Sequence, residues 1–400
     1  VQPIYLDNNA TTRTDPAVVE AMLPYFTEQF GNPSSSHAFG SSVGEALKAA
    51  RKQLAALLGA LLDHEIVFTS GGTESDNAAI LSALKTQEGR DEVVTTSVEH
   101  PAILTLLGQL EKSRGVKVHL VGVDAQGRLD IEAYRQALGP RTAIASAMWA
   151  NNETGTIFPV AELATMAHGV GALFHTDAVQ AVGKIPIDLK STEIDMLSLS
   201  GHKLHGPKGI GALYVRKGVK FRPLVRGGHQ ERGRRGGTEN APAIVGLGKA
   251  AELALAHMEE EGTRVRALRD RLEQGVLQQI GHVLVNGDAQ NRLPNTSNIA
   301  FEYLDGEAIL TFMNKAGIAA SSGSACTSGS TEPSHVLRAM NLPANALHGA
   351  IRLSFSRDNT SEEVDRVLQV LPGIVGRLRA QSLMTHNMAQ GQQAPAPSHA

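Results

Sequence analysis

One cysteine, Cys326, is the entire thiol content of the 400 residues. That excludes an intrachain disulfide, and it excludes a four-cysteine zinc site or an all-cysteine iron-sulfur cluster built within one chain. Long hydrophobic runs are also missing: none approaches the ~20 apolar residues that cross a bilayer. The opening residues, Val-Gln-Pro-Ile-Tyr-Leu-Asp, have neither the charged head nor the apolar stretch of a signal peptide, so a soluble cytoplasmic chain is expected. Neither sign of charge dominates, with 37 Lys and Arg against 40 Asp and Glu. A formal net charge of −3 argues against a nucleic-acid protein held by bulk positive charge. Aromatics make up only 4%, whereas glycine is abundant at 40 residues, and 42% hydrophobic content is ample for a large core with many tight loops.

From Glu65 onward, short β-branched runs alternate with helical segments. The strand candidates are Ile66–Thr69, Val93–Thr96, Val116–Val121, Thr142–Ser146, Ala172–His175, Ile194–Leu199 and Ile210–Val215, with helices expected over Asn77–Thr86, Ala102–Ser113, Asp130–Leu138 and Val160–Val170. Such alternation predicts an α/β fold with a mainly parallel sheet covered on both faces, and ligands then sit at the carboxyl ends of the strands. Ahead of this block, a helix is expected near Ala17–Gln29. Another runs from Val43, where apolar residues recur every three or four positions and Ser42 with Glu45 forms a capping-box pattern. Past Asn240 the chain turns helical and charged, with Glu252–Gln279 reading as one long amphipathic helix. Strands near His282–Val285, Ser297–Tyr303 and Ile351–Phe355 and helices at Gly306–Lys315 and Ser361–Leu378 follow, giving a smaller α+β domain. The expected division is a large domain at 13–255, a small domain made of 1–12 and 256–380, and a tail at 381–400 whose composition predicts disorder.

Polar residues cluster where the predicted strands end. Ser70-Gly-Gly-Thr73 precedes a helix and suits an anion at a helix N-terminus, although an ordinary capped turn reads the same way. His100, before Pro101, can stack on a ring or exchange protons, or simply cap the next helix. Asn152 follows one strand and Asp177 another. A carboxylate emerging from an apolar strand needs a cationic partner or strong donors to stay ionised. Lys203 lies between the strand Ile194–Leu199 and the glycine-rich turn Gly206–Gly211, which are the surroundings of a Schiff-base lysine, though a lone turn lysine is usually just solvated. Amine, carboxylate and amide at successive strand ends form the pattern expected for pyridoxal 5'-phosphate. The run Arg226–Thr238 is either a glycine-rich phosphate loop or a short RNA-binding segment. Cys326 stands among glycines and serines, expected to be mobile and exposed. Arg352 sits inside an apolar strand, requiring either a substrate carboxylate or an internal Asp or Glu.

In combination these residues resemble the pyridoxal-phosphate-dependent cysteine desulfurases of the class V aminotransferase family, most closely the nitrogenase-associated NifS type. The motifs that carry the likeness are Ser70-Gly-Gly-Thr-Glu-Ser75, Glu99-His-Pro101, Asn151-Asn-Glu-Thr-Gly155, Asp177-Ala-Val-Gln180, Ser200-Gly-His-Lys203 and Ser321-Ser-Gly-Ser-Ala-Cys326-Thr-Ser328. The resemblance implies the fold-type I transferase architecture and a homodimer. It implies that Lys203 holds the cofactor, Asp177 pairs with its pyridine nitrogen and His100 stacks on its ring. Gln180 and Asn152 would meet the ring hydroxyl or substrate; Gly72, Thr73, Ser200 and His202 would hold the phosphate, joined by Thr238 from the other subunit. Arg352 would bind the carboxylate of L-cysteine.

The implied reaction converts L-cysteine to L-alanine. Lys203 removes the α-proton, Cys326 attacks the substrate sulfur as a thiolate and keeps it as a persulfide, and His100 manages thiol protons. An iron-sulfur scaffold protein would receive the sulfur, with Cys326 touching a partner's cluster only in passing and no resident metal, membrane or nucleic acid involved. Rival readings are a selenocysteine lyase or cysteine-sulfinate-cleaving relative, an aminotransferase proper, a non-catalytic sulfur carrier, and an RNA-binding module at Arg226–Gly237.

Overall fold

The computed structural model describes residues 3–322 and 332–381; Cys326 and, of the expected tail, residues 382–400 lie outside the described residues, while Gln381 ends a helix. Seven strands form the main sheet: β2 (Ile66–Thr69), β3 (Glu92–Thr96), β4 (Lys117–Val121), β5 (Thr142–Ser146), β6 (Leu173–Asp177), β7 (Met196–Ser200) and β8 (Gly211–Val215), ordered β2-β8-β7-β6-β5-β3-β4. Neighbours from β4 through β7 are parallel, and β8 alone runs against the rest. The carboxyl ends of six strands therefore share one edge. Strands β2, β5, β7 and β8 are buried along their whole length, which is why they read as apolar runs rather than alternating ones.

A second layer contains β9 (Val283–Asn286), β10 (Thr296–Phe301) and β12 (Ala350–Ser354), an antiparallel sheet ordered β12-β10-β9. At the chain start, β1 (Ile4–Tyr5) pairs in parallel with β11 (Ile318–Ala319), and Asp7 bridges to Ser354. Ile4 and Leu6 thus share a buried cluster with Leu272, Phe301, Ile351 and Leu371, while the larger core gathers around Leu54, Phe174, Leu199 and Leu247. That larger core also takes in Val336, Met340 and Ala350 from late in the chain. No described helix is long and apolar enough to cross a membrane.

Several sequence expectations shift. The expected helix at Ala17–Gln29 is two short ones, Pro16–Met22 and Pro24–Thr27, because Pro24 starts a new turn after Leu23. The next helix begins at Ala38 rather than Val43, and the Ser42 capping box is not formed. His37 Nδ1 accepts from Gly40 N instead, and Ser42 Oγ points to Gln29. Gly40 permits this early start, since a Cβ there would lie 2.4 Å from the Ser35 carbonyl. The helix expected at Asn77 starts five residues sooner, at Gly72. The long helix expected over Glu252–Gln279 is divided: Ala241–Ala256 ends at His257, a π-turn covers Glu261–Val265, and Arg266–Gln279 follows. One face packs Leu247 and Ala251 on the larger core and the other packs Leu268, Leu272 and Val276 on the smaller one, so the helical phase must change between them.

Candidate active site

The shared strand edge opens into a cavity of about 430 Å³, a size ordinary for a small-molecule site. Ten of the twelve expected site residues line it: Gly72, Thr73, His100, Asn152, Asp177, Gln180, Ser200, His202, Lys203 and Arg352. Thr238 is exposed and lies away from this wall, and Cys326 lies outside the described residues.

Each side chain is held by the way its strand ends. Lys203 closes a 3-10 turn directly after β7, and its Nζ donates to the Asn9 and Ala10 carbonyls at 2.5 and 2.8 Å. Asp177 is the last residue of β6. Its Oδ1 accepts from Val179 N at 2.9 Å; burial raises its pKa, while that hydrogen bond and the charges of His100 and Lys203 pull it back. His100 caps the helix Pro101–Arg114, with Nδ1 accepting from Ala102 N at 3.1 Å, which leaves the proton of the neutral ring on Nε2. The capping reading of His100 and its place in the pocket wall are therefore compatible. His202 meets Thr11 Oγ1 through Nδ1, and burial with the nearby lysines brings its pKa down to about 4, so its ring is neutral.

The glycine turn is built for close approach. A Cβ on Gly72 would stand 2.8 Å from Val179 Cγ2, and one on Gly71 would be 3.8 Å from Ser200 Oγ. Ser200 thereby faces the start of the helix Gly72–Thr86, whose first-turn N–H groups have no intrahelical partner.

Arg352 is the largest of the fully buried side chains, at 1% exposure. It donates to Asn152 O at 2.9 Å and to Asp7 Oδ1 at 2.8 Å. The internal-carboxylate reading is thus realised, and the same guanidinium still borders the cavity. Gln180 is also engaged: Nε2 donates to Asn9 O and Oε1 accepts from Lys184 Nζ, both at 2.9 Å.

Of the four arginines in the Arg226–Thr238 run, Arg226 and Arg232 are exposed, and the other two are tied into the fold. Arg234 donates to the His64 carbonyl, and Arg235 braces Glu74 in the first turn of the Gly72–Thr86 helix. Among the described residues there is no group of three or more His, Cys, Asp or Glu arranged to hold a metal.

A family model, aminotransferase class-V, matches residues 4–367. The chain belongs to the class-V aminotransferase family. It is 71% identical over 397 residues to a cysteine desulfurase of Gluconacetobacter diazotrophicus, covering 99% of both chains. It is 64% identical over 376 residues to the cysteine desulfurase NifS of Azotobacter vinelandii, covering 94% of this chain and 93% of the relative. Among solved structures, a NifS-like protein superimposes with a TM-score of 0.88 at 38% identity, over 94% of this chain and 100% of the other. SspA in complex with cysteine matches with a TM-score of 0.77 at 36% identity, over 88% of this chain and 98% of the other. The fold is accordingly the fold-type I transferase architecture anticipated from the motifs.

This class-V site also contains groups that residue-by-residue reading passed over. Asn9 and Ala10 supply the carbonyls under Lys203, and Asp7 supplies the partner of Arg352; the polar run Asp7-Asn-Asn9 was their signal in the sequence. Behind Asp177 are two more buried acids. Burial and the charge of Asp177 raise Asp76 well above the carboxylate range, and burial pushes Glu99 up to about 8. Among the described residues Asp76 Oδ1 has no hydrogen-bond partner, and His175 Nε2 stands 3.6 Å from it; Asp76 also lines the cavity. Nothing in the spacing of Asp76 or Glu99 marks them as neighbours of Asp177.

Proposed function

We propose that the chain is a cysteine desulfurase that uses pyridoxal 5'-phosphate to convert L-cysteine to L-alanine and leaves the sulfur as a persulfide on Cys326. The observation that carries this reading is the convergence of Lys203, Asp177, His100 and the Gly71–Thr73 turn on one cavity, in a chain 71% identical to a cysteine desulfurase.

The residues fit the cofactor. A primary amine stands on the wall at Lys203, and a buried carboxylate at Asp177 calls for a cationic partner. The glycine turn, which a Cβ at Gly72 would fill, opens on a helix N-terminus suited to a phosphate. Gly72, Thr73, Ser200 and His202 would hold that phosphate, with Thr238 reaching it from the second subunit of a homodimer. Exposed Leu23, Phe26, Phe30 and Phe39, at 58–66%, support such a subunit contact. Bound there, the cofactor would supply an electron sink for negative charge at the substrate α-carbon. Asp177 keeps a proton at the pyridine nitrogen. Lys203 Nζ anchors the group and moves the α-proton, Arg352 and Asn152 orient the substrate carboxylate, and His100 Nε2 exchanges the thiol protons. Cys326 Sγ, as a thiolate, forms an S–S bond to the substrate sulfur while the C–S bond breaks and its electron pair goes to carbon. An iron-sulfur scaffold protein in the cytoplasm is the acceptor, and the likeness to NifS favours a nitrogenase-associated role.

The test is an absorption spectrum before and after L-cysteine, with alanine and sulfide assayed for wild type and Cys326→Ala. A yellow protein whose band shifts with substrate, and which keeps that shift but loses turnover without Cys326, supports the reading. A colourless protein that cannot be loaded with pyridoxal phosphate overturns it.

A further inference from the structure

Behind Lys203 lies a second buried amine that the proposed reaction does not use. Lys184 follows β6 by seven residues and is 7% exposed. Burial pushes its pKa down and the charge of Lys203 pushes it further the same way; burial pushes Glu261, on the π-turn, upward. The two lysines and Glu261 border one small, partly open space of about 20 Å³, room for about one water.

The hydrogen bonds run in a line. Lys184 Nζ donates to Gln180 Oε1 at 2.9 Å, Gln180 Nε2 donates to Asn9 O at 2.9 Å, and Lys203 Nζ donates to the same Asn9 oxygen at 2.5 Å. The direction of that line is chemically fixed. A carbonyl only accepts, so the Gln180 NH2 must face Asn9, and its oxygen is left to meet Lys184, a donor. A Gln180 amide held only at the Asn9 end could swing into the cavity, which it borders.

We propose that Lys184 is a positioning residue, holding the Gln180 amide in the orientation that braces the Asn9 carbonyl on which Lys203 rests. The proposal rests on the reading of Lys203 as the cofactor-bearing lysine. Lys184 touches neither the substrate nor the reacting atoms. Its effect reaches them through Gln180 and Asn9.

The test compares Lys184→Met, which fills the space without a donor, with Lys184→Gln, which keeps a donor. Three quantities are read: the rate at which the apo chain binds pyridoxal phosphate, followed as visible absorbance; kcat and KM for L-cysteine; and thermal unfolding. Lys184→Met is expected to slow cofactor attachment and lower kcat by up to about tenfold, the upper end of one net hydrogen bond, with KM within about twofold. Lys184→Gln should recover most of both. A folded Lys184→Met with wild-type attachment rate and kcat overturns the proposal. Should Lys184→Met fail to fold, Lys184→Ala and Gln180→Met are each compared with Gln180→Met/Lys184→Ala: a double variant no slower than Gln180→Met supports action through Gln180, and multiplied losses overturn the proposal. Failure of the underlying reading is distinguishable, because wild type itself would then bind no cofactor or Lys203→Ala would still form the visible band.

Discussion

Arg352 allows a prediction that separates bracing from binding. In β12 its guanidinium reaches Asn152 O and Asp7 Oδ1, joining the chain start, the β5–β6 connection and the second sheet at one point. Arg352→Met removes the charge and leaves Asp7, whose side chain is 20% exposed, without its guanidinium. Breaking a fully buried pair costs about 3–5 kcal/mol, and the partial exposure of Asp7 places this case near about 3 kcal/mol. Arg352→Lys keeps the charge but loses the fork, at about 2 kcal/mol. Urea unfolding reads the stability, and alanine formation at varied L-cysteine reads kcat/KM. Adding Asp7→Asn to Arg352→Met removes the stranded charge, so stability should recover by more than about 1 kcal/mol. The kcat/KM for L-cysteine should stay at least about tenfold down, because no guanidinium remains for the substrate carboxylate. If the double variant regains activity along with stability, Arg352 is only a brace. If Arg352→Met alone matches wild type in both assays, the reasoning fails on both counts.

Other expectations follow from the same cavity. Asp177→Asn should lower kcat by more than about 100-fold and alter the visible spectrum, since a neutral amide cannot hold the ring nitrogen protonated; unchanged turnover would remove Asp177 from the chemistry. Gly72→Ala places a methyl 2.8 Å from Val179 Cγ2 and should cost about 1–2 kcal/mol of stability and weaken cofactor retention, measured by dialysis and absorbance. Glu99 is raised from 4.5 to about 8 in the folded chain, so its contribution to stability is complete below about 4.5 and is lost as pH rises through about 8. Glu99→Gln should therefore flatten the fall in urea stability over that window, where one group contributes a slope of up to about 1.4 kcal/mol per pH unit. A wild-type slope in the variant would show that Glu99 ionises normally.

The strand-and-helix alternation from Glu65 to Val215 was legible because buried strands leave short apolar runs and helices leave apolar residues every three or four positions, and the strands were placed within two residues. The polar residues at the strand ends were legible for the same reason: once the strands are parallel, their carboxyl ends must share an edge. The helix starts were read less well. At Gly40 the tight turn of Asn32–Ser35, and at Gly72 packing against distant Val179, rather than propensity, decide where helix begins. The π-turn at Glu261–Val265 left no compositional trace, because a change of helical phase is required only by the two cores on either side of it.

Fold class and the chemical inventory of the site could be read from the chain alone: an amine, a carboxylate, two imidazoles and a glycine turn, all at strand ends. Tertiary structure decided which groups meet. Arg352 pairs with Asp7 across 345 positions, Lys203 rests on the carbonyls of Asn9 and Ala10, and Gln180 joins Asn9 to Lys184. Only the folded sheet brings these partners within hydrogen-bond reach, because the interactions depend on distances of about 3 Å between groups whose separation along the chain carries no periodic signal.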